Sequence, residues 1–121
     1  MEAYWNGLHG ARKILANSPD LVHKPSHMDE EIRNSQGEKL DYAYHSAQGD
    51  CPFTVIIGHG VTANMNRPFV EALAKGLAMA GIPTLRFSFS GNGDSEGRFE
   101  DSCVSKEVED LGAVIDSVKA Q

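Results

Sequence analysis

The sequence predicts an α/β fold, and three of its features carry that prediction. A continuous apolar run at residues 53–57 leads into Gly58-His59-Gly60, which is typical of a strand buried on both faces of a parallel sheet. An amphipathic helix pattern begins at Pro68, and a second strand pattern, Thr84 to Phe89, follows it after a short turn. A strand, a helix and a strand with short connections indicate a right-handed βαβ unit.

Composition and charge limit the classes of protein that this chain can belong to. Its 121 residues, 40% of them hydrophobic and 23% charged, suit one globular domain. A formal net charge of −6 argues against nucleic acid as a partner, because phosphate binding needs basic surfaces. No apolar segment is long enough for a membrane span, and the polar N-terminus is no signal peptide. We therefore expect a cytoplasmic location and no cofactor.

The N-terminal residues and the cysteines offer little chemistry. We expect residues 1–29 to form an extension in which residues 8–16 could be a short helix. His23 and His27 have the spacing of two metal ligands on one helix, but Pro25 between them disfavours a helix, and no other ligand type clusters nearby. Cys51 and Cys103 have no closely spaced partner, so both are expected to be free thiols. The sequence predicts no metal site.

From residue 30 onward the elements are better defined. Residues 31–34 and 40–45 are predicted as two strands joined by a turn at residues 35–38. The first main helix should start at Pro68, with Asn66 as a possible cap, and end at Gly81. A second helix should be capped by Ser102 or Ser105. Two apolar stripes are expected to face the core: Phe69, Leu73, Leu77 and Ala80 on the first helix, and Val104, Val108, Leu111, Ile115 and Val118 on the second.

The glycine-rich loop at residues 90–97 matches two motifs in part. A dinucleotide-binding fingerprint would need glycine where Glu96 stands, and the next helix starts too far away to cradle a phosphate. Residues 93–97 match G-x-S-x-G literally, with Ser95 at the nucleophile position of serine hydrolases. That motif requires a strand directly before it and a helix directly after it, and all five histidines precede Ser95, whereas the triad order places histidine last. We interpret the match as a coincidence.

Residues from about 31 to 118 resemble the N-terminal half of an α/β-hydrolase. The features that match, in order, are the strand that ends in His59-Gly60, the strand at residues 83–87, and the loop Gly91–Gly97 followed by Arg98-Phe99-Glu100-Asp101. The branch that they resemble most contains cinnamoyl and feruloyl esterases, monoglyceride lipases and serine-aminopeptidase-like enzymes. Asparagine stands at position 92, where members of this branch often have histidine.

The resemblance implies a partial α/β-hydrolase sheet, made of an antiparallel hairpin and two parallel strands, with two or three helices. It implies that the backbone N–H of Val61 is one donor of an oxyanion hole, with Gly60 and Thr62 beside it contacting the substrate. His59 is usually structural in this motif, so we do not assign it as a base. The substrate class would be a small acyl or ester compound.

The resemblance also implies that parts are missing. In this family the second helix leads to the strand that carries the nucleophile, and we expect residues 30–121 to lack the nucleophile, the triad acid and the triad histidine. The chain would then be the N-terminal fragment of a serine ester hydrolase, inactive alone. The strand at Phe53–Gly58 would lie at an open edge of the sheet, where apolar strands recruit other chains. We expect self-association through this edge or pairing with a C-terminal half.

A second hypothesis stays open at this point. The chain could be complete and non-catalytic, as a small binding or self-assembling module that uses half of the fold. The glycines at residues 58–60 and 91–97 mildly favour the hydrolase hypothesis, although they could serve the turns alone.

Overall fold

A computed structural model describes residues 28–121 of the chain. Within these residues, five strands, β1 to β5, span Ile32–Arg33, Lys39–Leu40, Tyr42–His45, Val55–Ile57 and Thr84–Phe87. The same part of the chain has two α-helices, α1 at Pro68–Met79 and α2 at Val104–Lys119, and a short 3-10 helix at Phe99–Asp101. The helix predicted at residues 8–16 and the His23–His27 pair lie outside the described residues.

The predicted hairpin is present, but its second strand is divided between two sheets. β1 and β2 pair antiparallel, with Ile32 opposite Leu40. Asp41 separates β2 from β3, which joins a different, three-stranded sheet. The predicted strand at residues 40–45 therefore connects the hairpin to the main sheet.

The main sheet has the order β3-β5-β4, which confirms the expected position of the apolar strand at one edge. β3 pairs antiparallel with β5, and β4 pairs parallel with β5. The prediction that residues 53–58 are buried on both faces is wrong: only Val55–Ile57 form the strand, its side chains are half-buried, and Phe53 is 51% exposed. An edge strand has a neighbour on one side alone, and it is the central strand β5 whose four residues are all buried.

Helix α1 begins at Pro68 as predicted, but it turns a different face to the sheet. Its buried residues are Val70 and Ala74, whereas Phe69 is 69% and Leu73 is 50% exposed. The predicted stripe is therefore wrong by about one position around the helix. The proposed cap is also wrong, because Arg67 occupies the N-cap position without a side-chain bond. Gly81, with φ of 89°, ends the helix as expected.

Helix α2 shows the same kind of deviation. Asp110 and Val114 are its buried residues, whereas Val104 and Val108, from the predicted core stripe, are 76% and 63% exposed. Neither Ser102 nor Ser105 caps this helix, because Cys103 is at the N-cap position and makes no side-chain cap bond.

The two helices cover opposite faces of the sheet. Successive side chains of a strand point to opposite faces, so Leu85 and Phe87 share one face and Arg86 points to the other. Val114 of α2 packs in a core cluster with Leu85 and Phe87, which also contains Met28, Ile32 and Leu40. Arg86 contacts the residues that lead into α1. Within residues 28–121, no helix is long and apolar enough to cross a membrane.

Candidate functional site

A cleft of about 400 Å³ opens where the loops after β4 and β5 meet the start of α2. These loops leave the carboxyl ends of two parallel strands, the end of an α/β sheet at which ligands bind. Two of the three predicted site residues, Gly60 and Val61, line it, whereas Thr62 is not among the lining residues. The other lining residues are Asn92, Phe99, Glu100, Ser102, Cys103, Val104 and Glu107.

Val61, which lines this cleft, lies in a tight turn. Ala63 N–H donates to the Gly60 carbonyl at 3.2 Å, which closes the turn around Val61 and Thr62. Thr62 has a φ of 59°, although a turn residue with positive φ is usually glycine or asparagine. Its hydroxyl donates to the Val61 carbonyl at 2.7 Å. None of the described residues accepts a hydrogen bond from the Val61 N–H, so that group is available to a ligand.

His59 holds the two loops together. Phe89 N–H donates to its Nε2 at 3.0 Å, and its Nδ1 lies 2.8 Å from the Gly60 carbonyl oxygen. Because a backbone N–H can only donate and a carbonyl can only accept, the proton sits on Nδ1. The ring also packs edge-on against Phe89, with centroids 5.1 Å apart. Both ring nitrogens are thus occupied by backbone groups, which leaves neither free to act as a base.

Ser95 is placed as a structural residue rather than as a nucleophile. Its side chain is buried, its hydroxyl donates to the Ser88 carbonyl at 2.7 Å, and it accepts the Asp41 N–H at 2.8 Å. The hydroxyl therefore ties the loop to the end of β5 and to the segment between β2 and β3. The literal G-x-S-x-G match has no exposed nucleophile.

The glycine-rich loop directs its backbone N–H groups inward. Gly91 N–H donates to the Glu96 carbonyl at 2.8 Å, and Glu96 N–H donates to the Lys39 carbonyl at 2.8 Å. Gly91 has a φ of 80°, and a Cβ there would lie 2.6 Å from the Arg98 carbonyl carbon, so only glycine fits. These two amides are therefore engaged within the protein and are not free to cradle a phosphate.

Beneath this loop lies a buried acid that the sequence analysis missed. Asp110 of α2 is fully buried and accepts three hydrogen bonds, from Ser90 N–H at 2.8 Å, Ser90 Oγ at 2.7 Å and Asn34 Nδ2 at 2.9 Å. Asn34 in turn accepts the Glu38 N–H at 2.9 Å and so holds the hairpin turn. Asp110 lies one turn before Val114 on the buried face of α2, a spacing that could have indicated its position.

The charge at the cleft comes from Glu100 and Glu107, and none of its lining residues is basic. Cys103 is exposed there, Cys51 is buried, and both are free thiols as predicted. Among residues 28–121, no group of three or more histidine, cysteine, aspartate or glutamate side chains could hold a metal ion. The polar groups of the cleft are backbone N–H groups, the carboxylates of Glu100 and Glu107, and the side chains of Asn92, Ser102 and Cys103.

Comparison with known proteins places this arrangement in a wider context. No protein-family model and no curated protein matches the sequence. Among solved structures, an α/β serine hydrolase homologue from Coxiella burnetii is 32% identical, with a TM-score of 0.66, over 81% of this chain and 48% of its own. Est1E from Butyrivibrio proteoclasticus, solved with ferulic acid bound, is 29% identical, with a TM-score of 0.68, over 77% and 38%.

A serine hydrolase without a lid from Xanthomonas campestris is 28% identical, with a TM-score of 0.63, over 80% of this chain and 46% of its own. The chain thus spans less than half the length of each of these three proteins. These similarities agree with the order of the strands and with the position of the two helices on opposite faces of the sheet. Residues 28–121 have part of the α/β-hydrolase fold.

Proposed function

We propose that this chain contributes the oxyanion loop of a serine ester hydrolase and that it has no hydrolytic activity alone. The observation that carries the proposal is the Val61 N–H, which has no acceptor among the described residues and belongs to a residue that lines the cleft. An N–H donor aimed at the developing negative charge of an acyl-transfer intermediate lowers its free energy, typically by about 3–4 kcal/mol. Gly60, which lines the same cleft, would contact the substrate beside this donor.

The rigidity of the loop supports this role. An oxyanion donor is effective when it is already in place, because it then needs no reorganisation during the reaction. His59 fixes one end of the loop through Phe89, and the Ser88 hydroxyl accepts the Met65 N–H at 3.0 Å near the other end. The substrate that we propose is a small acyl or ester compound, in line with the ferulic acid bound to Est1E.

The absence of a free triad among the described residues supports the second part of the proposal. Ser95 and His59 are both engaged by backbone groups, whereas the triad of a serine hydrolase needs a serine within reach of a free histidine. We propose that a further segment supplies the nucleophile, the acid and the base. That segment could pair with the open edge of β4. A second copy of the chain could pair with the same edge through its own β4.

The first test is the hydrolysis of p-nitrophenyl acetate by the 121-residue chain. We expect neither a burst nor turnover above the rate in buffer, and the same result for Ser95→Ala. Turnover that Ser95→Ala abolishes would show that the chain is an enzyme by itself and would contradict the proposal.

The second test examines Val61 in a chimera. Residues 28–121 replace the matching part of the Xanthomonas campestris serine hydrolase, once that host has been shown to hydrolyse p-nitrophenyl acetate. Val61→Ala keeps the backbone N–H and should leave turnover nearly unchanged, whereas Val61→Pro removes it and should lower turnover roughly 10²–10³-fold. Circular dichroism checks that both variants are folded. Equal turnover of the two folded variants would rule out an oxyanion role for this amide.

One observation favours a second candidate function. Phe69 and Leu73 form an exposed apolar ridge on α1, and such a surface is typical of an interaction site. A non-catalytic module that binds a partner or assembles with itself would use this surface without needing the Val61 N–H. The chimera separates the two functions, because only a hydrolase would lose turnover with that N–H.

A further inference from the structure

Arg86 is a buried cation at the centre of the sheet that forms no ion pair among the described residues, although its charge acts on the carboxylates of Asp41 and Glu71. It is 8% exposed and lies on β5, between Ala43 of β3 and Ile57 of β4. None of the ion pairs among the described residues includes it. Its hydrogen-bond acceptors are all neutral. A buried guanidinium group needs such acceptors, because leaving its N–H groups unpaired away from water is costly.

Two of these acceptors belong to the segment that ends the loop after β4. Arg86 Nη1 donates to the Met65 carbonyl and to Asn66 Oδ1, each at 2.9 Å. The Met65 N–H is held from the residue directly after β5, because it donates to Ser88 Oγ at 3.0 Å. Both backbone polar groups of Met65 are therefore bound to side chains of β5 or of the residue that follows it, which fixes the end of the loop to the centre of the sheet.

The third acceptor is a histidine on the opposite neighbouring strand. Arg86 Nε donates to Nε2 of His45 in β3 at 2.9 Å. Because arginine can only donate, His45 must be neutral with Nε2 unprotonated. The charges of Lys75 and Glu71 on α1 also influence the pKa of His45. These two side chains form an ion pair with each other at 2.7 Å. Burial first, and then the Arg86 and Lys75 cations, hold the pKa of His45 below its usual value, whereas Glu71 acts in the opposite direction.

We propose that Arg86 is a positioning residue that fixes the loop carrying Val61 through Met65 and Asn66, and that neutral His45 orients Arg86 for this role. The importance of this loop for an oxyanion rests on the function proposed above. The clamp itself does not, because it is defined by the three contacts of Arg86. Protonation of His45 would remove one of these acceptors and place a second cation beside the guanidinium group, so the loop should loosen in acid.

Amide hydrogen exchange of the complete chain, followed by NMR, tests the clamp. Arg86→Lys keeps the charge but cannot bridge His45 and the loop at the same time. We expect exchange of the Met65 and Ala63 amides to accelerate by about tenfold more than exchange of the Leu85 and Phe87 amides in the core.

The control variant is Arg33→Lys, since Arg33 also donates to a loop carbonyl, that of Gly37 at 2.7 Å, but on the hairpin. It should leave the Met65 and Ala63 amides unchanged. If Arg86→Lys accelerates all amides equally, Arg86 is only a stabilising residue of the core and the proposal is overturned.

A pH titration of the unmodified chain tests His45 even if Arg86→Lys does not fold. The amide shifts of Met65 and Asn66 should titrate together with the His45 ring, whose pKa lies below its ordinary value of 6.5. His45→Gln offers a neutral acceptor that does not titrate, so it should keep the Met65 amide protected and abolish the His45-linked change. Loop amide shifts that do not follow the titration of the His45 ring would overturn the proposal. The Val61 chimera can fail without affecting either result.

Discussion

Asp110 joins three separate parts of the molecule through one carboxylate. Its oxygens accept hydrogen bonds from Ser90 in the glycine-rich loop and from Asn34 in the hairpin turn, while its backbone belongs to α2. Hydrogen bonds to a buried charge contribute more than neutral ones, and a buried donor left without an acceptor is costly. The residue therefore ties the glycine-rich loop and the hairpin turn to α2.

Replacement of Asp110 by asparagine should destabilise the protein by about 2–3 kcal/mol. The side chain keeps its shape, but its amide group cannot accept all three hydrogen bonds, so at least one donor loses its acceptor. Urea unfolding measures the change in free energy. Asp116→Asn, on the exposed side of the same helix, is the control and should change stability little. An equal effect of the two substitutions would contradict the role assigned to Asp110.

His45 should make the stability of the protein depend on pH. Its pKa is lowered in the folded state from the ordinary value of 6.5, chiefly by burial and then by Arg86. The unfolded chain therefore binds more protons than the folded one at mildly acidic pH, so the free energy of unfolding should fall as the pH drops below 6.5. The contribution is fully present above pH 6.5 and is lost as the pH falls toward the folded-state pKa.

Urea unfolding between pH 7.5 and pH 5.5 checks this expectation. His45→Gln keeps a neutral acceptor for Arg86 but has no proton to gain. The free energy of unfolding of this variant should fall less steeply with pH than that of the unmodified protein. Parallel slopes for the two proteins would show that His45 does not contribute.

At the scale of single residues, the sequence could predict backbone roles better than buried polar contacts. The run into His59-Gly60 indicated a sharp turn at the end of a strand, and the turn around Val61 is there. Asp110 and Arg86 were missed because charged residues on an amphipathic element are expected to face water. Their burial depends on partners distant in sequence, Asn34 and Met65, whose proximity no local pattern encodes.

At the scale of elements, the kind and order of the strands and helices were predicted well, and the faces of the helices were not. Proline and glycine mark where α1 begins and ends, and these signals are local. Its apolar residues, however, occupy more than one face. Either Phe69 with Leu73, or Val70 with Ala74, could therefore have faced the sheet. The smaller pair lies against the sheet, which allows the helix to approach β5 closely, and the larger pair faces outward.

Strand β4 shows a related limit. Its apolar sequence is typical of a central strand, and yet it lies at the edge of the sheet in residues 28–121. Hydrophobicity predicts that a strand becomes buried, but it does not identify the chain that covers it. The same reasoning applies to Val104 and Val108 of α2, which have the pattern of a core stripe and are exposed.

At the scale of the whole molecule, the described residues combine exposed apolar side chains with an open sheet edge. Phe53 lies just before β4, Phe69 and Leu73 lie on α1, and Val104 and Val108 lie on α2. Exposed apolar surface and an unpaired strand edge both favour association with another chain. We therefore expect the 121-residue chain to form dimers or larger assemblies at micromolar concentration, as measured by size-exclusion chromatography with light scattering.

A lysine near the edge should weaken that association, because charged side chains block the pairing of strand edges. Phe53→Lys, which replaces a side chain that is 51% exposed, should shift the protein toward the monomer. Met79→Lys adds the same charge at a more exposed apolar residue on the last turn of α1, and it should leave the mass distribution unchanged if the β4 edge is the contact. If only Met79→Lys dissociates the assembly, the contact is the outer face of α1 instead. A monomer at every concentration of the unmodified chain would mean that neither surface recruits a second copy.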